Sequence, residues 1–307
     1  MGQIATTIEQ QIERLENRGM IVPDYEKAKE HLLDIGYYRL GFYWFYFEKD
    51  KEHNFFDYTN LDDVIDLYYL DIDLKNLLLK YIYRIEVHFR TQLIYFASNC
   101  YPDIPNWYSS RKIVDKNVVF QISKSYDTLK LKNEIIKKHH LKYPADKYAP
   151  AWKTMEFLTF GQVLKIYSKL KDENLKKVIA NSYQLREPQA LIDYFSAILN
   201  IRNICSHSNV LFDYNQPTGI SRIPNKQFRI KSRNTTNLNA SLRLILFVLS
   251  KISMNRTSEL ELLFYSKVNE AKQNEKLKQI IDIHINLDLI EKVIPLYNKS
   301  APLYVLL

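Results

Sequence analysis

The sequence predicts an all-α protein, and three observations carry that expectation. Only six of 307 residues are glycine, so few positions favour sharp reversals of the chain. Apolar residues recur over long stretches with the 3.6-residue period of amphipathic helices. One run, LDDVIDLYYLDIDLKNLLLKYIYRIEVHFRTQLIYFAS, meets no proline or glycine until Pro102.

The elements follow in chain order. A first helix fits Thr6 to Arg18, with a threonine cap before Ile8, Ile12 and Leu15 and Gly19 past its end. Asp24, after Pro23, caps a second helix carrying Ala28, Leu32 and Ile35. The block GYYRLGFYWFYF, Gly36 to Phe47, is apolar nearly all round and is expected to be buried. Thr59 opens the long run, which at about 40 residues reaches roughly 60 Å and forms the spine, with at most one kink. Six lysines and two acids lie between Lys130 and Lys147, where Pro144 and Pro150 break the chain. PAWKTMEFLTFGQVLKIYSKL, Pro150 to Leu170, reads as two helical pieces joined at Phe160-Gly161. Pro188 starts a helix that runs through LIDYFSAILNIRNICSH. From Asn209 to Asn237 periodicity is lost, leaving a loop with room for a short β-hairpin around Pro224-Asn225. Three further helical stretches finish the chain. With no internal repeat and no low-complexity linker, the whole of 1–307 is expected to form a single all-α domain.

Composition bounds the function. The chain is 46% hydrophobic and 25% charged, enough to bury a core and too little charge for a disordered polyelectrolyte. A net charge of +8 favours anionic partners such as nucleic acid. Cys100 and Cys205 are too few for a disulfide framework or a zinc cluster, as in an intracellular protein. The N-terminal segment has no apolar stretch of signal-peptide length, and windows such as LRLILFVLSKI are too short to span a bilayer. The expectation is a cytoplasmic protein with no membrane partner. The 23 tyrosines reflect AT-rich codon usage more than a row of stacking platforms.

The segment ILNIRNICSHSNVLF, Ile198 to Phe212, concentrates Arg202, Asn203 and His207 on an otherwise apolar stretch. On an ideal helix Asn203 and His207 lie one turn and about 40° apart, and Arg202, about 140° from His207, reaches round with its long side chain. An arginine fork suits phosphate, and histidine moves protons at neutral pH. Spacing alone leaves a second reading open, in which Arg202 pairs with a surface acid and His207 caps the last turn.

The same segment resembles the L-R-N-x-x-x-H signature of the Abi family of bacterial phage-defence proteins, the AbiD/AbiF type. Three more blocks resemble that family in the same order: HLLDIGYYRLGFYWFYF, RIEVHFRTQLIYF and APAWKTMEFLTFGQVLKIY. Together the blocks cover roughly residues 6 to 212. The resemblance implies a HEPN-like helical bundle with additional N- and C-terminal helices. It divides the chain into N-terminal helices at about 1–58, a core at about 59–210, a basic loop at about 211–237 and C-terminal helices at about 238–307. It also implies that Arg202, Asn203 and His207 form the motif of metal-independent endoribonucleases, with no cofactor, metal or nucleotide. Where relatives often carry a second histidine or a basic residue after the motif, this chain has Ser208 and Asn209, and Phe96 stands six positions after Arg90. With one histidine per motif, a two-fold homodimer is the expected way to supply both acid and base.

The partner so implied is RNA, either cleaved through its 2′-OH or held intact as a structured small non-coding RNA. A helical protein that senses a phage component without RNA is a third reading. Expected RNA tracks are Lys130, Lys132, Lys137, Lys138 and Lys142, and Arg222, Lys226, Arg229, Lys231 and Arg233, with solvated loops the alternative for both. Tyr143, Tyr148 and Phe228 are candidate stacking residues. Glu86 and Arg90, one turn apart, either support the motif helix or form an ordinary i,i+4 ion pair. His88 is read as structural, His139 and His140 as solvated, and Trp152, Glu156 and Phe160-Gly161 as packing and turn residues.

Overall fold

The computed structural model describes residues 4–285 and residue 287. Local signals account for the start of the chain. Thr7 caps α1 (Ile8–Asn17) in a reciprocal capping box with Gln10, and Gly19, at φ +91°, turns the chain away from it. Asp24 accepts from the Lys27 amide to cap α2 (Tyr25–Asp34). Next come α3 (Tyr37–Trp44) and a 3-10 turn, Phe45–Phe47.

The aromatic block is a correction to the expectation. Leu40, Tyr43, Trp44 and Phe47 are buried, but Tyr38, Phe42 and Phe45 are exposed. Composition cannot separate the two faces of a helix that is apolar all round.

The long run forms α4 (Leu61–Cys100), unbroken over 40 residues and about 60 Å long. Its cap is Asn60, in a capping box with Asp63, one residue after the expected Thr59. It then leads to α5 (Lys116–Lys132), α6 (Glu134–Lys142) and the short α7 (Ala151–Thr154). The break expected at Phe160-Gly161 falls earlier, at Leu158-Thr159, because Thr159 makes a capping box with Gln162 and starts α8 (Phe160–Ser168). Gly161 therefore lies inside α8. A Cβ there would stand 3.4 Å from Leu199 Cδ2, so the glycine lets α8 approach the next long helix closely.

After α9 (Glu173–Ser182), Pro188 occupies the first turn of α10 (Pro188–Ser206). α10 runs antiparallel to α4: Phe195 meets Phe89 at 4.6 Å, while the chain just past α10 meets Asp71. No hairpin forms around Pro224-Asn225. Ile220, Ile223 and Phe228 are buried there, and the Asn225 side chain caps a 3-10 turn, Lys226–Phe228.

Three helices follow: α11 (Leu238–Ser250), α12 (Met254–Ala271) and α13 (Glu275–His284). Of the expected C-terminal helical stretch, residues 286 and 288–307 lie outside the described residues, as do 1–3. Every residue of α11 from Leu238 to Leu249 is buried, the mark of a helix central to a core.

One apolar cluster runs from Ile12 to Ile285, with α3, α8, α9, α10, α11, α12 and α13 all packed on α4. Among the described residues there is no strand, only isolated bridges such as Glu48 with Phe55, and the architecture is all-α. No helix among them is long and apolar enough to cross a membrane.

Candidate functional site

α10 buries Leu191, Tyr194, Phe195, Ile198, Ile201 and Cys205, a stripe at helical spacing, and turns Asn203 and Ser206 to solvent with Arg202 half-buried between. Arg202 Nη1 donates to Asn203 Oδ1 at 3.4 Å, so these two side chains lie together. The helix ends at Ser206, and His207 is its C-cap with extended backbone, φ −121° and ψ 178°. That dihedral swings the imidazole away from the direction an ideal helix would give it. His207 is exposed and its ring makes no hydrogen bond to any described residue. Neither Arg202 nor His207 has a carboxylate partner among the described residues, and the Ser206 hydroxyl, at 2.9 Å, takes the Arg202 carbonyl. Among the described residues, Arg202 is therefore not paired with a surface acid.

What holds the chain after the motif is a buried polar cluster. Asp71 of α4, fully buried, accepts from the Leu211 and Phe212 amides at 2.8 and 2.9 Å through Oδ1. Through Oδ2 it accepts from the Tyr43 hydroxyl at 2.9 Å and pairs with Lys75 at 2.7 Å. Lys75 also donates to the Asn209 carbonyl, and Arg39 donates to the Ser208 carbonyl. One step further, Asp213 accepts from the Tyr46 hydroxyl at 2.9 Å and lies 2.7 Å from His284 Nδ1. Every residue from Ser208 to Asp213 except Val210 is thus tied by a backbone or side-chain bond to α3, α4 or α13. A buried carboxylate is tolerable when its lone pairs are all occupied, as they are here.

None of Arg39, Tyr43, Tyr46, Asp71, Lys75, Asp213 and His284 stood out in the sequence. One signal existed: Arg39, Tyr43 and Tyr46 are spaced i, i+4, i+7. Burial against the same cluster also pushes the Cys205 thiol up to about 12. A thiol reagent at about pH 8 is therefore expected to modify the exposed Cys100 and spare Cys205 until denaturant is added. Labelling of both in the native protein would mean that the loop opens.

A family model described as Abi-like protein matches residues 30–213, more than half of the chain. The chain belongs to the Abi-like family. Members are abortive-infection proteins of phage defence. No curated protein and no solved structure matches it. In this Abi-like protein the matched segment begins in α2 and stops at Asp213, so it contains the motif and nearly all the residues that anchor it. It leaves out α1, the stretch 222–233 and α11 to α13.

The other expected residues lie elsewhere in the Abi-like fold. Arg90 pairs with Glu86 at 2.8 Å, donates to the Leu158 carbonyl at 3.2 Å and approaches Glu156 at 3.8 Å. That makes the pair a fastener between α4 and the turn before α8, about 28 Å along α4 from Asp71. Lys130, Lys132, Lys138 and Lys142 are exposed without an acid partner among the described residues, while Lys137 pairs with Glu134 at 2.8 Å. α6 packs on α5 and α7, beside the Arg90 end of α4 and not beside Asp71. Arg222, Lys226, Lys231 and Arg233 are exposed and Arg229 half-buried. The Tyr194 hydroxyl donates to the Arg222 carbonyl at 2.8 Å, which sets the start of that stretch roughly 20 Å back along α10 from His207. Its far end leads to Thr236, whose carbonyl accepts from Gln216 at 2.7 Å, and Gln216 in turn accepts from Asn200 of α10 at 3.1 Å.

Three expectations are corrected. Trp152, expected to pack, is 50% exposed. His139 is buried, 3.0 Å from Asp146, and His140 is half-buried, 2.7 Å from the Tyr126 hydroxyl, because the turn after α6 folds back over them. Phe228 is buried near Phe247 and has no face to offer a base; Tyr148 is half-buried and Tyr143 exposed. His88 lies 2.8 Å from the Tyr183 hydroxyl, and burial draws its pKa down, as expected of a structural residue. No group of three metal-ligating side chains occurs among the described residues.

Proposed function

We propose that this Abi-like protein is a HEPN-type endoribonuclease that acts in phage defence as a homodimer. RNA carries its own nucleophile, the 2′-OH beside the scissile phosphate. His207 takes that proton, the 2′-oxygen attacks phosphorus, and the bond to the 5′-oxygen breaks as that oxygen gains a proton from a second group. In the dimer, His207 of the partner subunit supplies the second group. Arg202 holds the non-bridging oxygens as charge builds on them, and Asn203 orients the phosphate or the imidazole. The products are a 2′,3′-cyclic phosphate and a 5′-hydroxyl.

The observation that carries this reading is that Arg202 and His207 stand at the surface end of α10 with no carboxylate among the described residues to neutralise them. An arginine beside an asparagine, with an imidazole that bonds to no described residue at the end of the same helix, is a receptive place for a phosphodiester. The exposed lysines of α5 and α6 and the basic stretch 222–233 serve as further tracks for the strand.

A second reading, an RNA-binding protein that grips a dedicated structured RNA without cutting it, has one observation in its favour. Only one histidine belongs to the motif, and His284, which the loop itself holds, is engaged by Asp213. End-labelled RNA incubated with the protein in EDTA separates the two. A nuclease cuts it, leaves cyclic-phosphate ends and spares an all-DNA copy. A binder retards the RNA and leaves it whole.

A further inference from the structure

α3 and the 3-10 turn that continues it carry two parallel stripes. Arg39, Tyr43 and Tyr46 grip the chain that follows the motif, through the Ser208 carbonyl, Asp71 and Asp213. One residue earlier in each turn, Tyr38, Phe42 and Phe45 repeat the i, i+4, i+7 spacing about 100° round the helix, and there they face solvent. Tyr38 is 81% exposed, Phe45 63% and Phe42 39%, with Tyr38 and Phe42 ring centroids 5.3 Å apart. Nothing among the described residues covers them.

We propose that this stripe is a stacking platform for unpaired bases of the RNA strand whose phosphate lies at Arg202 and His207. The inference rests on the RNA reading above and specifies the substrate as single-stranded near the site. Three things favour RNA as the occupant. The first is position: Arg39 lies between the stripe and the residue next to His207. The second is charge. Arg39 and Arg202 have no carboxylate partner among the described residues, so aromatic faces and cations without a counter-ion occur on the same side of the site, the combination that single strands use.

The third is size. The three rings offer roughly 400 Å² of apolar surface, against about 800 Å² per partner in a standard protein interface. That is too little for a second copy of this chain to dock on it alone, and enough for two or three bases. A patch of this extent is of the size that is often functional on a monomer.

The test uses the full-length protein with short fluorescent 2′-O-methyl oligoadenylate and oligouridylate, which cannot be cleaved because the nucleophile is blocked. Binding is followed by anisotropy over a salt series. Wild type is expected to bind oligoadenylate more tightly, since purines stack better. Tyr38→Ala/Phe45→Ala removes the two most exposed rings and leaves the buried face of α3 intact. It is expected to weaken oligoadenylate binding by about tenfold or more and to erase the preference over oligouridylate. The slope of affinity against salt stays the same, because no phosphate contact is lost. Tyr83→Ala, an exposed tyrosine lining a groove with Lys80, Arg84 and Arg256, changes neither quantity.

If wild type binds RNA and the double variant binds it equally, the stripe is not the platform, while the RNA reading stands. If the double variant instead turns a dimer into a monomer in sedimentation, the occupant is a second copy and the proposal falls. If wild type binds neither oligonucleotide, the RNA reading and the platform fall together.

Discussion

Asp71→Ala lowers the unfolding free energy by about 3–5 kcal/mol, the cost of leaving a buried charge without its partner. The carboxylate is the shared acceptor for the Leu211 and Phe212 amides, the Tyr43 hydroxyl and the Lys75 ammonium, in a place with no exposed surface. Removing it leaves the two amides and the hydroxyl without their acceptor and the Lys75 charge without its counter-ion, with only the Asn209 carbonyl left to that ammonium. Asp71→Asn keeps the shape but loses the charge and part of the accepting capacity, so it falls between alanine and wild type. Asp71→Leu/Lys75→Met, which exchanges the pair for apolar groups of similar size, regains much of the loss. Urea unfolding of the four proteins orders them. Hydrogen exchange provides a local readout, since the Leu211 and Phe212 amides lose protection in Asp71→Ala. A cost below about 1 kcal/mol would place the pair in the class of solvated surface bridges and contradict its burial.

His207→Ala is expected to reduce RNA cleavage by at least about 100-fold, the lower end of what a positioned acid–base group contributes. Stability should change by no more than about 0.5 kcal/mol, because the ring is exposed and makes no bond to a described residue. That contrast distinguishes a chemical role from a structural one. Arg202→Ala should lose cleavage to a similar degree, and Arg202→Lys should recover only part of it, since an ammonium keeps the charge but not the planar fork. Single-turnover cleavage in EDTA and thermal melting, run side by side, measure both quantities. If wild type leaves RNA intact but retards it, and His207→Ala weakens that retention, the motif binds without cutting. If His207→Ala cuts as well as wild type, the mechanism built on its imidazole is wrong.

Much of the fold could be read from local signals. Thr7, Asp24, Pro188 and the uninterrupted run into α4 act within a few residues of themselves, and each starts or sustains a helix where its chemistry says it should. The Thr159-x-x-Gln162 capping box is a local signal of the same kind and marks the true place of the break, whereas Phe160-Gly161 suggests one only because glycine punctuates chains elsewhere. Asn225 looked like a hairpin residue, yet it caps a 3-10 turn because Ile220, Ile223 and Phe228 on either side are drawn inward.

The adjacency of Arg202 and Asn203 was legible because they are neighbours on one helix. The surroundings of the motif were not. Asp71 and Lys75 read in sequence as one more i,i+4 surface pair, and only their meeting with a segment some 140 residues downstream makes them a buried anchor. The exposure of Tyr38 and Phe45 was hidden for the opposite reason. A helix apolar on every side carries no periodic signal to say which side the core takes.

The same long separations have a consequence for how the molecule comes into being. α10 can coil as soon as its own residues leave the ribosome, but the loop beyond it must close on helices made much earlier and on His284, made much later. Contacts so distant in the chain form slowly and late. A copy synthesised only to about residue 210 therefore carries Arg202 and His207 on a free end, and the anchor of the loop is complete only once His284 has been made.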